Sequence, residues 1–484
     1  MLLVVVGIML LQTAWILTVP PFRAIDEIDH TYRAAAVARG QWTAGPAAVH
    51  GRGEQVTVPA SIVDAAHAQC EELAYNQPEN CNPISSDASG NVVIASSAGT
   101  YYPPFYWVVG TAALPFDGAG ALYAMRVAAA LLCSVFIALA AWSLCQFSSR
   151  WPIAALTLAA TPVLVYSTTV VAPNGLEISA ALALWASLLT LVRRPHEVPA
   201  AKLLWVAIIS ATVLGSLRAL GPIFILLIVA TVALLMPRET VAAIRSRPRI
   251  VAFGCVLVGT AVALFAAWTL GPVTSVLEAD ELEDHSGFKP INLVMWAMQS
   301  IAAFPFRDQQ GPWIVYPVIG TLVVLLVVIA FREGTRRERA ALSSAIVIAV
   351  VLPLAFTLAT LDNVGDIWQG RYGLPYAVGV LLLAGVIRSQ HHPAAAPSWK
   401  VSGSTGVLYA VAVVACLLKV RADELNQNEA SVADPTWSAP APLVLVVLVA
   451  TATTLLVVGL SGTPHRSAAP TPGSRSARDI EALT

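Results

Sequence analysis

The chain has 484 residues, 57% of them apolar and only 12% charged, and its mean hydropathy is +0.71. Soluble domains carry about 25% charged residues, so this composition describes a polytopic membrane protein. It excludes a cytosolic enzyme, a nucleic-acid binder and a secreted disulfide scaffold. The formal net charge of −1 becomes informative only when divided between the two sides of a membrane.

A crossing helix needs about 20 mainly apolar residues. Twelve stretches read as spans: 1–19, 122–147, 153–171, 177–191, 203–217, 222–236, 250–270, 314–331, 341–359, 372–387, 406–420 and 443–460. Gly215, Arg218, Gly221 and Pro222 divide the long run 203–236 into a hairpin. With the N-terminus inside, inner segments hold 17 of the 28 basic residues and six of the 29 acidic ones. That asymmetry follows the positive-inside rule and predicts a multi-pass plasma-membrane protein with both termini cytoplasmic.

The expected fold is all-α, with a transmembrane body over 1–461. Two extracytoplasmic loops, 20–120 and 271–312, hold most of the non-membrane mass, so chemistry is expected on that face. A Pro/Ser-rich cytoplasmic tail, 462–484, reads as disordered. Residues 1–19 lack a basic n-region and a small-residue cleavage site before Pro20, so they read as an uncleaved span. Cys133, Cys145, Cys255 and Cys416 lie in spans as packing residues. Cys70 and Cys81 share the first outer loop, where thiols oxidise, and are expected to be bridged.

P-loop, HExxH, GxSxG and CxxC motifs are absent, which argues against ATP hydrolysis on this chain and zinc proteolysis. The densest polar cluster follows the first span and contains Arg23, Asp26, Glu27, Asp29, His30 and Arg33. In a helix over 26–40, Asp26, Asp29, His30 and Arg33 share one face by i, i+3, i+4 and i+7 spacing. The plain reading is an interfacial helix capped by Asp26. The functional reading is a general base with neighbours that orient a hydroxyl or hold a metal.

An aromatic segment comes next, Tyr101-Tyr102-Pro103-Pro104-Phe105-Tyr106-Trp107. The helix it opens is too short to cross, and its rings suit either a headgroup belt or a groove for a lipid chain or sugar. Asn174 and Glu177 open the fourth span. Arg126 and Arg218 lie near the outer ends of other spans as weaker anion-binding candidates. Residues 278–285 are strongly acidic, fit no EF-hand spacing and read as a solvated loop. Finally, Trp368-Gln369-Gly370-Arg371-Tyr372 opens the tenth span, and its arginine either snorkels to headgroups or holds a phosphate bidentately.

In this order, Asp26-Glu27-x-x-His30-x-Tyr32-Arg33, Tyr101-x-Pro103-Pro104-x-Tyr106 and Gln369-Gly370-Arg371-Tyr372-x-x-Pro375 resemble a family of bacterial polytopic membrane proteins without assigned function. That family is grouped with the GT-C glycosyltransferase superfamily. The resemblance runs from the first span to about Val386. One departure is Pro173-Asn174-Gly175, where the family often has an Asn-Pro-Asp triplet; the role of that triplet then falls to Asn174 or Glu177, or is lost.

The resemblance implies a GT-C-like architecture and an enzyme that moves a sugar from a polyprenyl-phosphate donor to an envelope glycan or lipid acceptor, outside the cell. Asp26 is the expected base, with Glu27 second and His30 orienting the acceptor or the phosphate. Arg33, Tyr101, Tyr106, Asn174, Glu177, Arg218, Gln369, Arg371 and Tyr372 are the expected substrate contacts. A divalent cation (Mg, Mn or Ca) on Asp26, Glu27 and Asp29 is compatible with the superfamily, and no other cofactor is implied. The rival readings are a transporter or flippase of a lipid-linked precursor and a non-catalytic envelope scaffold.

Overall fold

A computed structural model of the chain describes residues 1–73, 76–193, 199–271, 288–306, 309–364, 368–393, 397–430 and 437–461. The acidic stretch 278–285 and the tail 462–484 lie outside the described residues. The protein is an all-α polytopic membrane protein, with one small sheet among the described residues.

Helix α1 (Leu2–Thr18) is apolar, and a linker leads from it into α2 (Glu27–Ala38). The loop region follows: β1 (Glu54–Pro59), α3 (Ala60–Glu71), the one-turn α4 (Pro78–Cys81), β2 (Ser85–Ser86), β3 (Asn91–Ser96) and α5 (Pro103–Thr111). The strands form an antiparallel sheet in the order β1-β3-β2. Val56 and Val58 of β1 and Val92 and Ile94 of β3 are buried, giving the small lobe its own apolar contact with the bundle. A disulfide joins Cys70 at the end of α3 to Cys81.

The bundle continues with α6 (Gly118–Leu144), α7 (Trp151–Ala159), α8 (Pro162–Ser167), α9 (Pro173–Arg193), α10 (Ala200–Leu217), α11 (Gly221–Leu235), α12 (Pro237–Ser246) and α13 (Pro248–Thr269). It closes with α14 (Ile291–Gln299), α15 (Val315–Glu333), α16 (Arg336–Val364), α17 (Leu374–His391), α18 (Trp399–Ala430) and α19 (Pro442–Ser461). In α9, 19 of 21 residues are buried, whereas α13 buries only Gly254. Helix α9 is therefore the axis of the bundle and α13 an outer, lipid-facing helix.

Among the described residues nine helices are long and apolar enough to cross a membrane, or ten if α11 and α12 count as one bent span. Three of the twelve stretches read from sequence differ for local reasons, one of them α11, which has only 15 residues and meets the test only together with α12. Helix α1 has only 17 residues. The stretch 153–171 is broken into α7 and α8, because Pro162 has no N–H to continue the ladder.

Several polar groups at that break find partners in other segments. The Ala160 carbonyl accepts from the Tyr409 hydroxyl (2.5 Å), and Val163 N–H donates to the Ile301 carbonyl (3.1 Å). The Thr161 hydroxyl donates to the Ser300 carbonyl (3.2 Å). Residues 300–305 thus dip into the bundle as irregular backbone, which is tolerated at membrane depth only when protein satisfies it.

We term the end of the bundle where α1 finishes and α2 begins the site face. Arg126, Val171, Arg218 and Arg371 cluster there with α2 and its neighbours. At the opposite face Arg193 and His391 pair with Glu338, and Arg388 pairs with Glu333 and stacks on Trp151.

Candidate active site

Helix α2 starts one residue later than its spacing suggests, and that residue is Asp26. It sits at the N-cap in the left-handed region, φ 58°, and its side chain makes no capping hydrogen bond. Phe22, four residues earlier, is also left-handed at φ 63°. Such conformations are costly for residues with a Cβ and gather at functional sites. The turn takes the Asp26 carboxylate away from the helix: it is 44% exposed, with Oδ2 3.8 Å from Arg371 Nη2. At that distance the two attract without a hydrogen bond, leaving the carboxylate lone pairs open.

The expectation that Asp26 caps the helix is therefore corrected, while His30 stays within electrostatic reach of it. Asp29 instead accepts from Ser97 N–H at 2.7 Å, and its own carbonyl accepts from the Ser96 hydroxyl at 3.0 Å, which pins the end of β3 onto α2. Burial pushes the Asp29 carboxyl above its usual range, with the Ser97 hydrogen bonds opposing. Arg33 is wholly buried and donates to the carbonyls of Tyr101 (2.8 and 3.1 Å), Gln41 and Trp42. Burial draws it down to about 10, so it stays charged at neutral pH. It clamps backbone and does not face the site.

Glu27 is fully buried and paired through both oxygens with Arg126, itself bound to the Val19 and Pro20 carbonyls. Val171 N–H adds a further donor at 3.3 Å. With three donors on its two oxygens, Glu27 is an anchor joining α1, α2, α6 and the start of α9. The trio Asp26, Glu27 and Asp29 does not fit a cation, because the three carboxylates face Arg371, Arg126 and Ser97. No group of three His, Cys, Asp or Glu among the described residues is placed to hold a metal.

The residues that do gather come from five segments. His30 Nδ1 and the Tyr106 hydroxyl share a 2.8 Å hydrogen bond, and their rings stack. The Tyr101 ring lies 5.7 Å from that of His30 and is 46% exposed. Tyr372 opens α17 through the 3-10 turn Gly370–Gly373, and the guanidiniums of Arg218 and Arg371 lie 4.5 and 5.6 Å from its ring centre. Arg218 ends α10, and its Nη1 is 3.9 Å from Glu177 Oε2. The other Glu177 oxygen is buried without a partner. The turn that carries Arg371 needs Gly370: a Cβ there would stand 2.1 Å from the Trp296 carbonyl.

Asn174 and Gln369 are buried beside this group, and the Gln369 side-chain oxygen has no partner. Gly175, at the last position of the altered triplet, lies against α8, where a Cβ would stand 2.3 Å from the Ser167 carbonyl. Packing therefore excludes a side chain there. The result is a cluster at the site face with one accessible carboxylate, two guanidiniums around a phenol ring, and a neutral imidazole. Such an arrangement can take a proton from a hydroxyl while binding an anion a few ångströms away.

A family described as "Predicted membrane protein (DUF2142)" matches residues 9–380. The chain belongs to that family. The matched region holds the whole site, from Asp26 to Tyr372. No curated protein and no solved structure matches the chain.

Within this DUF2142 protein, His30 has a pH signature that can be checked. Burial is the main influence and lowers its pKa from 6.5 to about 4; Asp26 opposes this, while Arg218 and Arg371 add to it. Between pH 6.5 and 4 the unfolded chain takes up a proton that the folded ring refuses. Stability therefore falls as pH drops through that window, by up to ~3 kcal/mol from this group. His30→Gln keeps a hydrogen-bonding side chain for Tyr106 and is expected to flatten that slope. Thermal unfolding of both proteins from pH 7 to pH 4 measures it; equal slopes would refute the assignment.

Proposed function

We propose that this protein is a glycosyltransferase of GT-C type that uses a polyprenyl-phosphate-linked sugar. Its acceptor is an envelope glycan or lipid. The observation that carries this reading is the Asp26 carboxylate, half-exposed, strained, uncapped and 3.8 Å from Arg371. A capping aspartate would have extended backbone and a side chain turned onto the first N–H groups, and Asp26 has neither. In the reaction, Asp26 takes the proton of an acceptor hydroxyl, whose oxygen attacks the anomeric carbon. The bond from that carbon to the phosphate oxygen breaks, and the configuration inverts. Arg371 and Arg218, spaced around Tyr372, receive the phosphate as its charge develops. His30 and Tyr101 orient the acceptor, while Tyr106 and Arg33 position those two groups.

The donor supplies the driving force, consistent with the lack of a P-loop. Its prenyl chain would lie among the membrane helices. The site face is read as extracytoplasmic for two reasons. Basic residues of the short connections crowd the opposite face, as Arg332, Arg336, Arg337 and Arg339 do, and the Cys70–Cys81 disulfide lies in the lobe on the site face.

The test is the glycan composition and linkage of the envelope in a deletion strain carrying wild type or Asp26→Asn. One linkage should disappear on deletion and return with wild type alone. An unchanged glycan in the deletion strain overturns the transferase reading and favours a transporter or scaffold. Recovery by Asp26→Asn, with the variant present in the membrane, overturns Asp26 as the base.

A further inference from the structure

Helix α12 does not continue the span before it. It leaves the end of α11 at 112°, so it runs nearly in the plane of the opposite face, between spans α11 and α13. None of its residues is buried. Ala243 packs against Leu191, Leu203 and Leu204 and ties one side of α12 to the bundle. On the free side Val241 and Ile244, 44% and 48% exposed, are i, i+3 neighbours, and Arg238 and Arg245 lie beside them at i, i+7 spacing. Arg247 and Arg249 follow at once and are also exposed. Glu239 is the single acidic residue of the segment.

An exposed apolar strip beside an arginine pair, held steeply across the preceding helix, meets a lipid surface on geometric grounds. The excess of arginine selects the headgroup charge. We propose that α12 is an in-plane anchor that binds anionic phospholipid headgroups of the leaflet at the opposite face. Val241 and Ile244 enter the headgroup–chain boundary, and Arg238 and Arg245 sit at phosphate level. The inference is independent of the reaction assigned to the site.

The experiment uses the full-length protein in nanodiscs holding phosphatidylglycerol and phosphatidylcholine in equal amounts. Lipids retained on release from the discs are counted by native mass spectrometry. Wild type is expected to prefer phosphatidylglycerol. That preference should fall by about fivefold for each arginine removed in Arg238→Gln/Arg245→Gln, since a cation near an anionic surface contributes about 1 kcal/mol. It should survive in Arg238→Lys/Arg245→Lys, because the attraction is one of charge. Both variants should melt with wild type in phosphatidylcholine-only discs, as the changed side chains are exposed. Equal retention of both lipids by wild type overturns the proposal, as does an unchanged preference in the glutamine variant. Val241→Asp/Ile244→Asp should lower retention of both lipids; unchanged retention refutes the seating of the apolar strip.

Discussion

Asp26→Asn is expected to lower sugar transfer by about 10²–10⁴-fold, the usual contribution of a general base, while leaving the protein folded. The separation of the two effects comes from the geometry. The carboxylate is half-exposed, caps nothing and stands 3.8 Å from Arg371. Exposed pairs of that kind contribute about 0–1 kcal/mol. Asparagine tolerates the left-handed region nearly as well as aspartate. Asp26→Gly sharpens the test. Glycine adopts φ 58° without strain, so this variant should match or exceed wild-type stability by about 1 kcal/mol and still be inactive. Asp26→Ala should lose both activity and stability. Melting temperatures measured beside transfer rates separate these cases. A glycine variant that is active would remove Asp26 from the chemistry.

The neighbouring carboxylate should behave in the opposite way. Glu27→Gln or Arg126→Leu is expected to destabilise the protein by about 3–5 kcal/mol, because each leaves a charge or a strong acceptor buried without its partner. Glu27 is completely buried and Arg126 nearly so, and the pair holds the chain between α1 and α2 against α6. The double variant Glu27→Leu/Arg126→Met should be less damaged than either single one, since no uncompensated charge remains. Unfolding of the detergent-solubilised proteins measures this. Single variants with wild-type stability would contradict the anchoring role and return Glu27 to the candidates for the base.

How far the site could be read in advance differs from residue to residue. The polar cluster after α1, the aromatic opening of α5 and the Gln369-Gly370-Arg371-Tyr372 turn are visible as residue types out of place in an apolar chain. Their mutual approach is not. Asp26 and Arg371 belong to opposite ends of the family match, and Arg126 and Glu27 are 99 positions apart. Helical spacing placed Asp26 with Asp29, His30 and Arg33, but it assumed a right-handed Asp26. The left-handed turn that takes the Asp26 carboxylate off the helix has no local glycine to signal it. Arg126 and Arg218 looked alike as arginines near span ends. One is an internal clamp on carbonyls and Glu27, the other a neighbour of Tyr372 in the site cluster.

The sequence by itself determined that this is a helical membrane protein, where its apolar segments lie and which basic residues collect between them. Those properties follow from transfer free energies that add residue by residue along the chain. The tertiary structure alone decided which carboxylate is anchored and which is free, and which arginine joins the site cluster. A charge takes its role from the partner that neutralises it, and that partner is brought by folding from a distant part of the chain.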